Sequence, residues 1–536
     1  MEWEQTNNNR IAGGQNKHFS PYYKQTYFPP EKVMELYQTP NVTYQTPAFL
    51  KEEETFTTQE EMMDFLYGLT VNNDDVRLEI IAHSVEGREV PLLIFSTSHD
   101  DQDAFAAKPT VWLQAQVHGD EPAAGESALV IAKQLADGKL GDELLDQMNV
   151  LIVPRMNPDS MFYFQRNSAE GLNGNRDHIN LEMTELQAIH ETFNQYNPEV
   201  VIDAHEYGAT PQFDDIGNEG ALKYHDVLLQ TGKNLNIPEE IRQISDEWFM
   251  KDAFAALEAE NLSYGTYYTV AEAKGLQPTL HEGGVNAGTG RNTFGLKPSI
   301  SILVETLGIG IGRANFLRRV FGQVTTHIAI LKTVLAKGAA VKQFIKQAYE
   351  DISQAGNKGK ANGSVVLKSK LVETNEQYLK VVDIAKGKVI EIPVAYYSAT
   401  KSVATMKRKR PTAYILPPAY QAIVEKLKLH GITVERLADD QLLNVECFEL
   451  VQREVINEGS HPTNKLTTNI TSEERLFLAG SYFIRSAQAR ALLASLALEP
   501  ESDASFFAHN FIPTYVSEEL PVYRIINEID FPLIRV

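Results

Sequence analysis

Short apolar runs alternate with segments of helical periodicity over much of the chain. Strand-like apolar runs stand at Val76–Ile81, Val111–Val117, Val150–Val153, Val200–Ala204 and Ile300–Val304. Apolar residues at helical spacing occur at Thr58–Leu69, from Ala124 onward and at Ala314–Leu335. Apolar runs of this length, flanked by helices, are typical of a sheet that is covered on both faces. The pattern therefore predicts an α/β fold with a mixed, mostly parallel sheet between layers of helices.

A second, smaller unit of mixed α and β character follows. Small and polar residues at 355–364 predict a loop, and after it come strand-like runs at Val365–Leu367, Lys388–Val394 and Ala413–Leu416. Helical segments are predicted at Pro418–His430 and around Ser486–Leu496, and a polar loop at Glu458–Asn469. We therefore divide the chain into a lead segment at 1–50, an α/β domain at 51–340 and a C-terminal mixed α and β domain at 341–536.

Composition narrows the classes of partner. The 536 residues include 49 Lys and Arg against 71 Asp and Glu, a formal net charge of -22. Such a balance argues against nucleic acid as a partner, because its binding draws on clustered basic residues. The basic run Lys407–Arg410 is one short stretch in an acidic protein, and it predicts a solvated loop.

The chain shows no signs of a membrane or secreted protein. No apolar run approaches the ~20 residues of a membrane helix, and residues 1–10 lack the basic start and apolar run of a secretory signal. We therefore expect no membrane span and a cytoplasmic location, with a secreted mature form whose signal has been removed as the alternative. A single cysteine, Cys447, excludes an intrachain disulfide.

Four predicted strands are each followed by polar residues suited to metal binding or to acid–base chemistry. These residues are His118–Glu121, Arg155 with Asn157–Asp159, His205–Glu206 and Glu305. Ligands of open α/β sheets bind outside the carboxyl ends of the strands. The four strand ends are therefore expected to meet in one crevice.

His118 and Glu121 are three residues apart in a turn that leaves a strand, so both side chains can reach one metal ion. His205, from a separate strand, would complete a two-His, one-carboxylate set and leave a fourth zinc position open for water. Such an open site implies hydrolysis. The His-x-x-Glu spacing alone also occurs in surface turns with solvated charges. Its position after a buried strand, with Gly119 and Pro122 shaping the turn, favours a site for one Zn²⁺ ion.

Seven short motifs occur in a fixed order along the chain. They are Ser84–Leu92, His118–Glu121, Asn157–Asp159, Arg166-Asn167, Asn175–Asp177, Ala204–Tyr207 and Leu303–Thr306. Together they resemble the zinc carboxypeptidase family, the carboxypeptidase A-like metallopeptidases, over about residues 50–340. Residues beyond about 350 resemble the extra C-terminal domain of some long bacterial members. The resemblance implies a carboxypeptidase-like α/β fold and a peptide or amide substrate with a free carboxylate.

The resemblance also implies roles for individual residues. The family's zinc ligands match His118, Glu121 and His205. The residue that matches Glu305 acts as a general base on the zinc-bound water and then gives the proton to the leaving amine. Arg166 matches the arginine that stabilises the oxyanion. The alternative for Glu305 is an inward carboxylate that is paired with an arginine such as Arg313.

Asn175 and Arg176 match the family pair that grips the terminal carboxylate of the substrate, a contact that suits a planar guanidinium. Their alternative is a solvated Gly/Asn-rich surface loop. Arg291 is a candidate substrate contact, and a plain loop arginine is the alternative.

Two positions depart from the family pattern. Asn173 stands where the family usually has an Asp that holds a zinc-ligating His. Asn173 can still accept the imidazole N–H bond, but it brings no charge to the ligand. The family's substrate-binding Tyr lies about twenty residues before the catalytic Glu, where this chain has Gly283, Gly284 and Val285. Tyr264, Tyr267 and Tyr268 are further away in sequence, so the sequence assigns that role to no particular Tyr.

We therefore expect a zinc metallocarboxypeptidase that hydrolyses a C-terminal peptide bond with a zinc-bound water activated by Glu305. One alternative is a zinc amidase or deacylase acting on cell-wall peptides or N-acyl amino acids. Another is a non-catalytic peptide-binding protein, although retention of both the metal ligands and Glu305 argues against it.

Overall fold

A computed structural model of the chain describes residues 25–52, 55–141, 143–275, 277–357, 363–457, 462–527 and 531–535. Residues 1–10, where the sequence shows no secretory signal, lie outside these ranges, as do residues 358–362 of the predicted loop. Among the described helices, none is both long enough and apolar enough to cross a membrane.

The strands up to residue 309 build the larger sheet and the first part of a second one. They are β1 (Val76–His83), β2 (Glu89–Phe95), β3 (Thr110–Ala115), β4 (Asn149–Val153), β5 (Val200–Gly208), β6 (Ala221–Lys223), β7 (Val227–Thr231), β8 (Tyr264–Thr266), β9 (Tyr268–Glu272), β10 (Thr279–Glu282) and β11 (Ile300–Ile309). Eight of them form one sheet in the order β1-β2-β4-β3-β5-β11-β7-β8. Strands β4, β3, β5 and β11 run parallel to one another, and β1 and β2 are antiparallel at one edge. The prediction of a mixed, mostly parallel sheet is confirmed.

Helices cover both faces of this sheet. Those up to residue 357 are α1 (Glu31–Met34), α2 (Pro47–Leu50), α3 (Gln59–Thr70), α4 (Gln102–Ala107), α5 (Pro122–Ala136), α6 (Leu144–Gln147), α7 (Pro158–Phe162), α8 (Thr184–Tyr196), α9 (Glu239–Ile244), α10 (Lys251–Ala259), α11 (Gly290–Leu296) and α12 (Phe316–Asn357), with a 3₁₀ turn at Gly174–Arg176 and a π-helical segment at Ser245–Met250. Side chains on β3 show why both faces are covered. Val111 and Leu113 enter the core that contains α3, α5, α10 and α12, whereas Trp112 points to the opposite core with α8. Because side chains alternate along a strand, an apolar run without interruption must be buried on both sides.

Helix α3 confirms the helical periodicity at Thr58–Leu69 and shows what begins it. The Thr58 hydroxyl accepts a hydrogen bond from the Glu61 backbone N–H at 3.2 Å, and the Glu61 carboxylate accepts one from the Thr58 N–H at 2.8 Å. This reciprocal capping box satisfies two backbone donors that a helix start leaves free.

The remaining elements form two further sheets. They are β12 (Ser364–Asp383), β13 (Lys388–Lys409), β14 (Ala413–Leu416), α13 (Gln421–Leu429), β15 (Glu435–Leu437), β16 (Gln441–Ile456), β17 (Thr463–Phe477), β18 (Tyr482–Arg485), α14 (Ala491–Leu498), β19 (Glu519–Ile525) and β20 (Leu533–Arg535), with a 3₁₀ turn at Pro418–Tyr420. The second sheet has the order β6-β12-β13-β10-β9 and the third β17-β16-β19-β14-β18-β15-β20. The second sheet therefore mixes strands from the α/β part with a C-terminal hairpin.

Residue 340, where we placed the domain boundary, lies inside helix α12, which runs from Phe316 to Asn357 without a break. The hairpin of β12 and β13 then returns to the α/β part and pairs with β6 and β10. Local composition does not show that strands from both sides of the boundary pair with each other. The sequence pattern therefore predicted two separate units. The structure instead joins them through a shared sheet and a shared helix.

Two predicted loops are strands where the structure describes them. From Thr463 onward the polar stretch Glu458–Asn469 belongs to β17, which pairs with β16 along its length. Most of its side chains are exposed, so pairing needs no apolar alternation. The basic run Lys407–Arg410 is likewise not a solvated loop. Its first three residues end β13, Arg410 after them is buried, and Arg408 forms an ion pair with Glu499 at 2.7 Å.

Candidate metal centre and active site

His118, Glu121 and His205 meet at the carboxyl ends of β3 and β5, as the sequence predicted. His118 Nδ1 lies 2.7 Å from Glu121 Oε1, and His205 Nδ1 lies 2.8 Å from Glu121 Oε2. All three residues are buried, with exposed fractions of 1%. One donor atom from each lies within 4.8 Å of the others, close enough to bind one ion.

The outer nitrogen of each imidazole is held by an oxygen. His118 Nε2 lies 3.0 Å from Asn173 Oδ1, and His205 Nε2 lies 3.3 Å from Asp203 Oδ1. An Nε2–H that donates outward leaves the Nδ1 lone pair directed at the centre of the group, which is the tautomer a metal requires. The position of Asn173 agrees with the role predicted for it. Asp203 escaped the sequence reasoning, although its place two residues before His205 on the same face of β5 is the signal that could have found it.

The chemistry of the three donors suits zinc. Two imidazole nitrogens and one carboxylate are a common zinc set that leaves a position open. Burial by itself would raise the pKa of Glu121, but His118 and His205 hold it below its ordinary value. The carboxylate is therefore ionised, as a metal ligand must be.

Close backbone packing fixes the turn that carries the first two ligands. A Cβ atom at Gly119 would lie 2.0 Å from the carbonyl carbon of Ser160, so only glycine fits at this position. The Gly119 N–H donates to Gln165 O at 3.0 Å, which brings the segment that bears Arg166 against the turn. Glu206 accepts a hydrogen bond from the Ala123 N–H at 2.8 Å and so holds the start of α5 directly after Glu121.

Glu305 lies on β11 in parallel register with His205 on β5, and it is 6% exposed. Burial raises the pKa of Glu305 to about 7, with the charge of His205 opposing the rise and that of Glu121 adding to it. Arg313 does not pair with Glu305, because its guanidinium donates to the backbone oxygens of Thr55 and Ala48 at 2.8 and 3.1 Å. A carboxyl group with a pKa near neutrality can both take and return a proton.

Arg166 reaches the metal-ligand group from its open side. Its Nη1 lies 3.2 Å from Glu121 Oε1, and 45% of its side chain is exposed. The guanidinium therefore borders both the metal-ligand group and solvent, from which a substrate would enter.

Asn175 and Arg176 lie on the 3₁₀ turn Gly174–Arg176, beside the metal-ligand group. Asn175 Nδ2 lies 3.4 Å from His205 Nε2, while Asn175 Oδ1 accepts from the Gly290 N–H at 2.9 Å. Arg176 is exposed, and its Nη1 donates to Asn175 O at 2.7 Å. Asn175 is buried and so does not fit the alternative of a solvated surface loop, whereas the exposure of Arg176 fits it, and the role of the pair in binding a carboxylate stays a prediction.

Arg291 is the second residue of α11 and is 4% exposed, so it is not a solvated loop arginine. Its Nη2 donates to Gly284 O at 2.9 Å, and its guanidinium carbon lies 6.0 Å from the ring centre of Tyr267. Burial lowers the pKa of Arg291, with Tyr267 opposing and Arg176 adding to this effect. Arg291 thus lies in the same cluster as the Asn175–Arg176 pair.

Tyr267 is a second site residue that the sequence reasoning did not assign. It lies between β8 and β9, and burial raises the pKa of its hydroxyl, with Glu305 adding to the rise and Arg291, Arg176 and Arg166 opposing it. The ring lies 6.0 Å from the guanidinium carbon of Arg291, so Tyr267 belongs to the same cluster as that candidate substrate contact.

Gly283 explains how Tyr267 enters the site. A Cβ atom at Gly283 would lie 2.6 Å from Tyr267 Cδ1. The sequence shows only glycines about twenty residues before Glu305, and the space that a side chain would take there is filled by a ring from another strand. Gly283 and Gly284 were therefore the signal in the sequence that a side chain from elsewhere occupies this space.

Comparison with known proteins agrees with this geometry. Residues 62–201 match the zinc carboxypeptidase family, peptidase M14. Over 448 residues the chain is 32% identical to Carboxypeptidase 2 of Trichophyton rubrum, covering 82% of this chain and 81% of that protein. This chain belongs to the zinc carboxypeptidase family. It is therefore a metallopeptidase, and the family's cofactor is zinc.

A second relative extends this result. Carboxypeptidase 2 of Trichophyton equinum is 33% identical over 451 residues, again 82% of this chain and 81% of that protein. A match of this extent cannot fit within residues 1–340, so the family relationship continues into the C-terminal part. A metallo-carboxypeptidase structure from Burkholderia cenocepacia overlaps 52% of this chain and 69% of that chain, with a TM-score of 0.40 and 20% identity.

Proposed function

We propose that this family member is a zinc metallocarboxypeptidase that hydrolyses the C-terminal peptide bond of its substrate. His118, Glu121 and His205 would hold one zinc ion, which when bound supplies a Lewis acid for the carbonyl oxygen and lowers the pKa of water. The observation that carries the proposal is that Asn175 and Arg176, the pair that would bind the terminal carboxylate, lie close to the metal ligands, since Asn175 is 3.4 Å from His205. A bound terminal carboxylate and the nitrogen of the scissile bond must then belong to the same, terminal residue.

Each remaining role follows from position. Arg176, with Asn175, would bind the terminal carboxylate in a charge-assisted contact. Arg291 lies against Tyr267, and it would hold the tyrosine ring in place next to Asn175 and Arg176. Arg166 would stabilise the negative charge that develops on the carbonyl oxygen, because it borders Glu121 from the exposed side.

Glu305 would carry the proton. It takes a proton from the attacking water as the C–O bond forms, and gives it to the amine nitrogen as the C–N bond breaks. The products are a shortened peptide and a free amino acid, and Glu305 returns to its carboxylate form. A pKa near 7 suits both steps, because neither proton transfer is then strongly uphill.

Replacement of Glu305 by Gln tests the proposal. Zinc-loaded wild-type protein should release single residues from the carboxyl ends of a peptide library, read by mass spectrometry. Glu305→Gln should bind about one equivalent of zinc and lose at least about a thousandfold in turnover. Glu79→Gln is the matched control, since Glu79 is an exposed strand glutamate remote from the metal ligands, and it should keep wild-type activity.

The zinc amidase or deacylase alternative is separated by the substrate. Peptides with an amidated carboxyl terminus should resist cleavage, because Arg176 then loses its charged partner. Hydrolysis of N-acyl amino acids or cell-wall peptides with no release from the library would favour the alternative. Full activity of Glu305→Gln would refute the assigned role of Glu305.

A further inference from the structure

Lys223 is a buried cation beside the active site that none of the roles above employs. It is the last residue of β6, paired with Val381 of β12, and it is 6% exposed. Its Nζ lies 5.0 Å from the ring centres of both Tyr207 and Tyr268. Tyr207 follows His205 by two residues on β5 and so shares its face of the strand. Lys223 therefore lies beside the strand that carries the metal ligand His205.

The ammonium of Lys223 has no anionic partner in the described part of the chain, where it forms neither an ion pair nor a side-chain hydrogen bond. The contrast with Lys233 is direct, because that lysine is also buried, at 4% exposed, and its Nζ lies 2.5 Å from Asp246 Oδ2. Two aromatic faces compensate a buried charge only in part. Burial lowers the pKa of Lys223 to about 8, with Glu305 opposing, so the amine still carries its charge at neutral pH.

Lys223 lies on the side of Glu305 away from Asn175 and Arg176, the pair that would bind the terminal carboxylate. Asn175 of that pair lies 3.4 Å from His205 Nε2, whereas Lys223 lies against the ring of Tyr207, two residues further along the same face of β5. Glu305 on β11 is in register with His205, and its charge also opposes the lowering of the pKa of Lys223. Along β5, the pair therefore lies level with His205 and Glu305, and Lys223 lies beyond them. In a bound peptide the terminal carboxylate contacts Arg176 and the scissile bond lies at Glu305. The residue before the scissile bond must then lie on the side of Glu305 where Lys223 stands.

We propose that Lys223 binds a carboxylate on the residue that precedes the scissile bond, so that the enzyme selects peptides with Asp or Glu at this position. The inference rests on the proposed carboxypeptidase function. An acidic side chain would supply the anion that the described residues do not provide, and the rings of Tyr207 and Tyr268 would pack against its methylene groups. Paired buried charges discriminate strongly between substrates, because the uncharged analogue leaves the ammonium unpaired.

Two matched substrates and two variants test this inference. Acetyl-Glu-Phe and acetyl-Gln-Phe have the same shape and differ in charge, and kcat/KM is measured for each by release of Phe. The wild-type protein should prefer the Glu substrate by about tenfold or more. Lys223→Met should abolish the preference while it changes kcat/KM for the Gln substrate by less than about threefold, and Lys223→Arg should retain it.

Lys380→Met is the control, because Lys380 is an exposed lysine on β12 next to the residue that pairs with Lys223. It removes the same charge from the same sheet and should keep the preference. Thermal unfolding of each variant, compared with that of the wild type, shows whether a loss comes from misfolding.

Binding keeps the inference separate from catalysis. Calorimetric titration of the zinc-loaded Glu305→Gln protein with the two acetyl dipeptides should give tighter binding of the Glu peptide, and Lys223→Met in that background should remove the difference. If no peptide is cleaved by wild-type protein, the proposed function fails, and the titration still decides on Lys223. Equal binding of both peptides, or an equal loss of kcat/KM on both substrates in Lys223→Met, would overturn the inference and assign Lys223 to the support of Glu305.

Discussion

The buried ion pair between Arg319 and Glu206 holds the helix that follows the metal ligand Glu121. Arg319 Nε lies 2.8 Å from Glu206 Oε1, and the two side chains are 4% and 0% exposed. The other carboxylate oxygen accepts the N–H of Ala123, the second residue of α5. Arg319→Met would therefore leave a buried carboxylate without its cation at the start of this helix.

The expected cost follows from the geometry. At an effective dielectric constant of about 20, unit charges separated by 2.8 Å attract by ~6 kcal/mol. Because desolvation offsets part of this attraction, removal of one partner from a buried pair costs about 3–5 kcal/mol. We expect Arg319→Met to lower the free energy of unfolding by that amount.

The cost should depend on pH. Burial raises the pKa of Glu206, and Arg319 opposes the rise, so the variant should have a still higher folded-state pKa. Above the unfolded-state pKa of about 4.3 the unfolded chain loses this proton while the folded variant retains it. The deficit relative to wild type should therefore grow with pH until the folded-state pKa of the variant is passed.

Urea unfolding followed by tryptophan fluorescence at pH 5.5 and pH 8 measures this deficit. Arg77→Met is the control, since Arg77 and Asp100 form an exposed pair, with side chains 47% and 94% exposed, and its loss should cost less than about 1 kcal/mol. Arg319→Met combined with Glu206→Gln should recover about half of the loss or more, because no buried charge remains. The same deficit at both pH values, with no recovery in the double variant, would refute the electrostatic reasoning.

Three further outcomes are expected at the active site. Asn173→Ala removes the acceptor of His118 Nε2 and should weaken zinc binding about 10- to 100-fold, measured by competition with a chelator, whereas Asn173→Asp should strengthen it; unchanged affinity in both would show that Asn173 does not orient the ligand. The Tyr267→Phe protein should keep its zinc, and its kcat/KM should be about tenfold lower than that of the wild type. Wild-type kinetics in this variant would contradict a role for the hydroxyl. Burial raises the pKa of Glu305 to about 7, and a general base must be ionised, so kcat/KM should fall as the pH drops through that pKa. Since a zinc cation favours the ionised form, the midpoint should lie at or below about 7, and a flat profile between pH 5 and 8 would contradict the assignment.

The C-terminal part contacts the segment that follows Arg176. Lys426 Nζ donates to Asn180 O at 2.5 Å, and His430 Nε2 lies 2.8 Å from Ile179 O. Both residues come from α13 or its end, so this helix braces backbone that leads away from the carboxylate-binding pair. The family relationship that continues past residue 340 agrees with a unit that packs on the α/β part.

The sequence by itself determined the residues that stand at the ends of buried strands. His118, Glu121, His205 and Glu305 were predicted because an apolar run must be buried, and a polar residue that follows it reaches the same edge of the sheet. Their ordered motifs also identified the family. Local pattern is sufficient for such residues because each is fixed by its own strand.

Only the tertiary structure decided which residues from distant parts of the chain reach the active site. Tyr267 fills the space over Gly283, and Lys223 reaches Tyr207 from a strand that pairs with the C-terminal hairpin. The domain boundary at 340 was likewise absent, because α12 continues through it and β12 pairs with β6. Contacts between distant segments depend on sheet order and on which side chains leave room, and neither property is written in the spacing of hydrophobic residues along the chain.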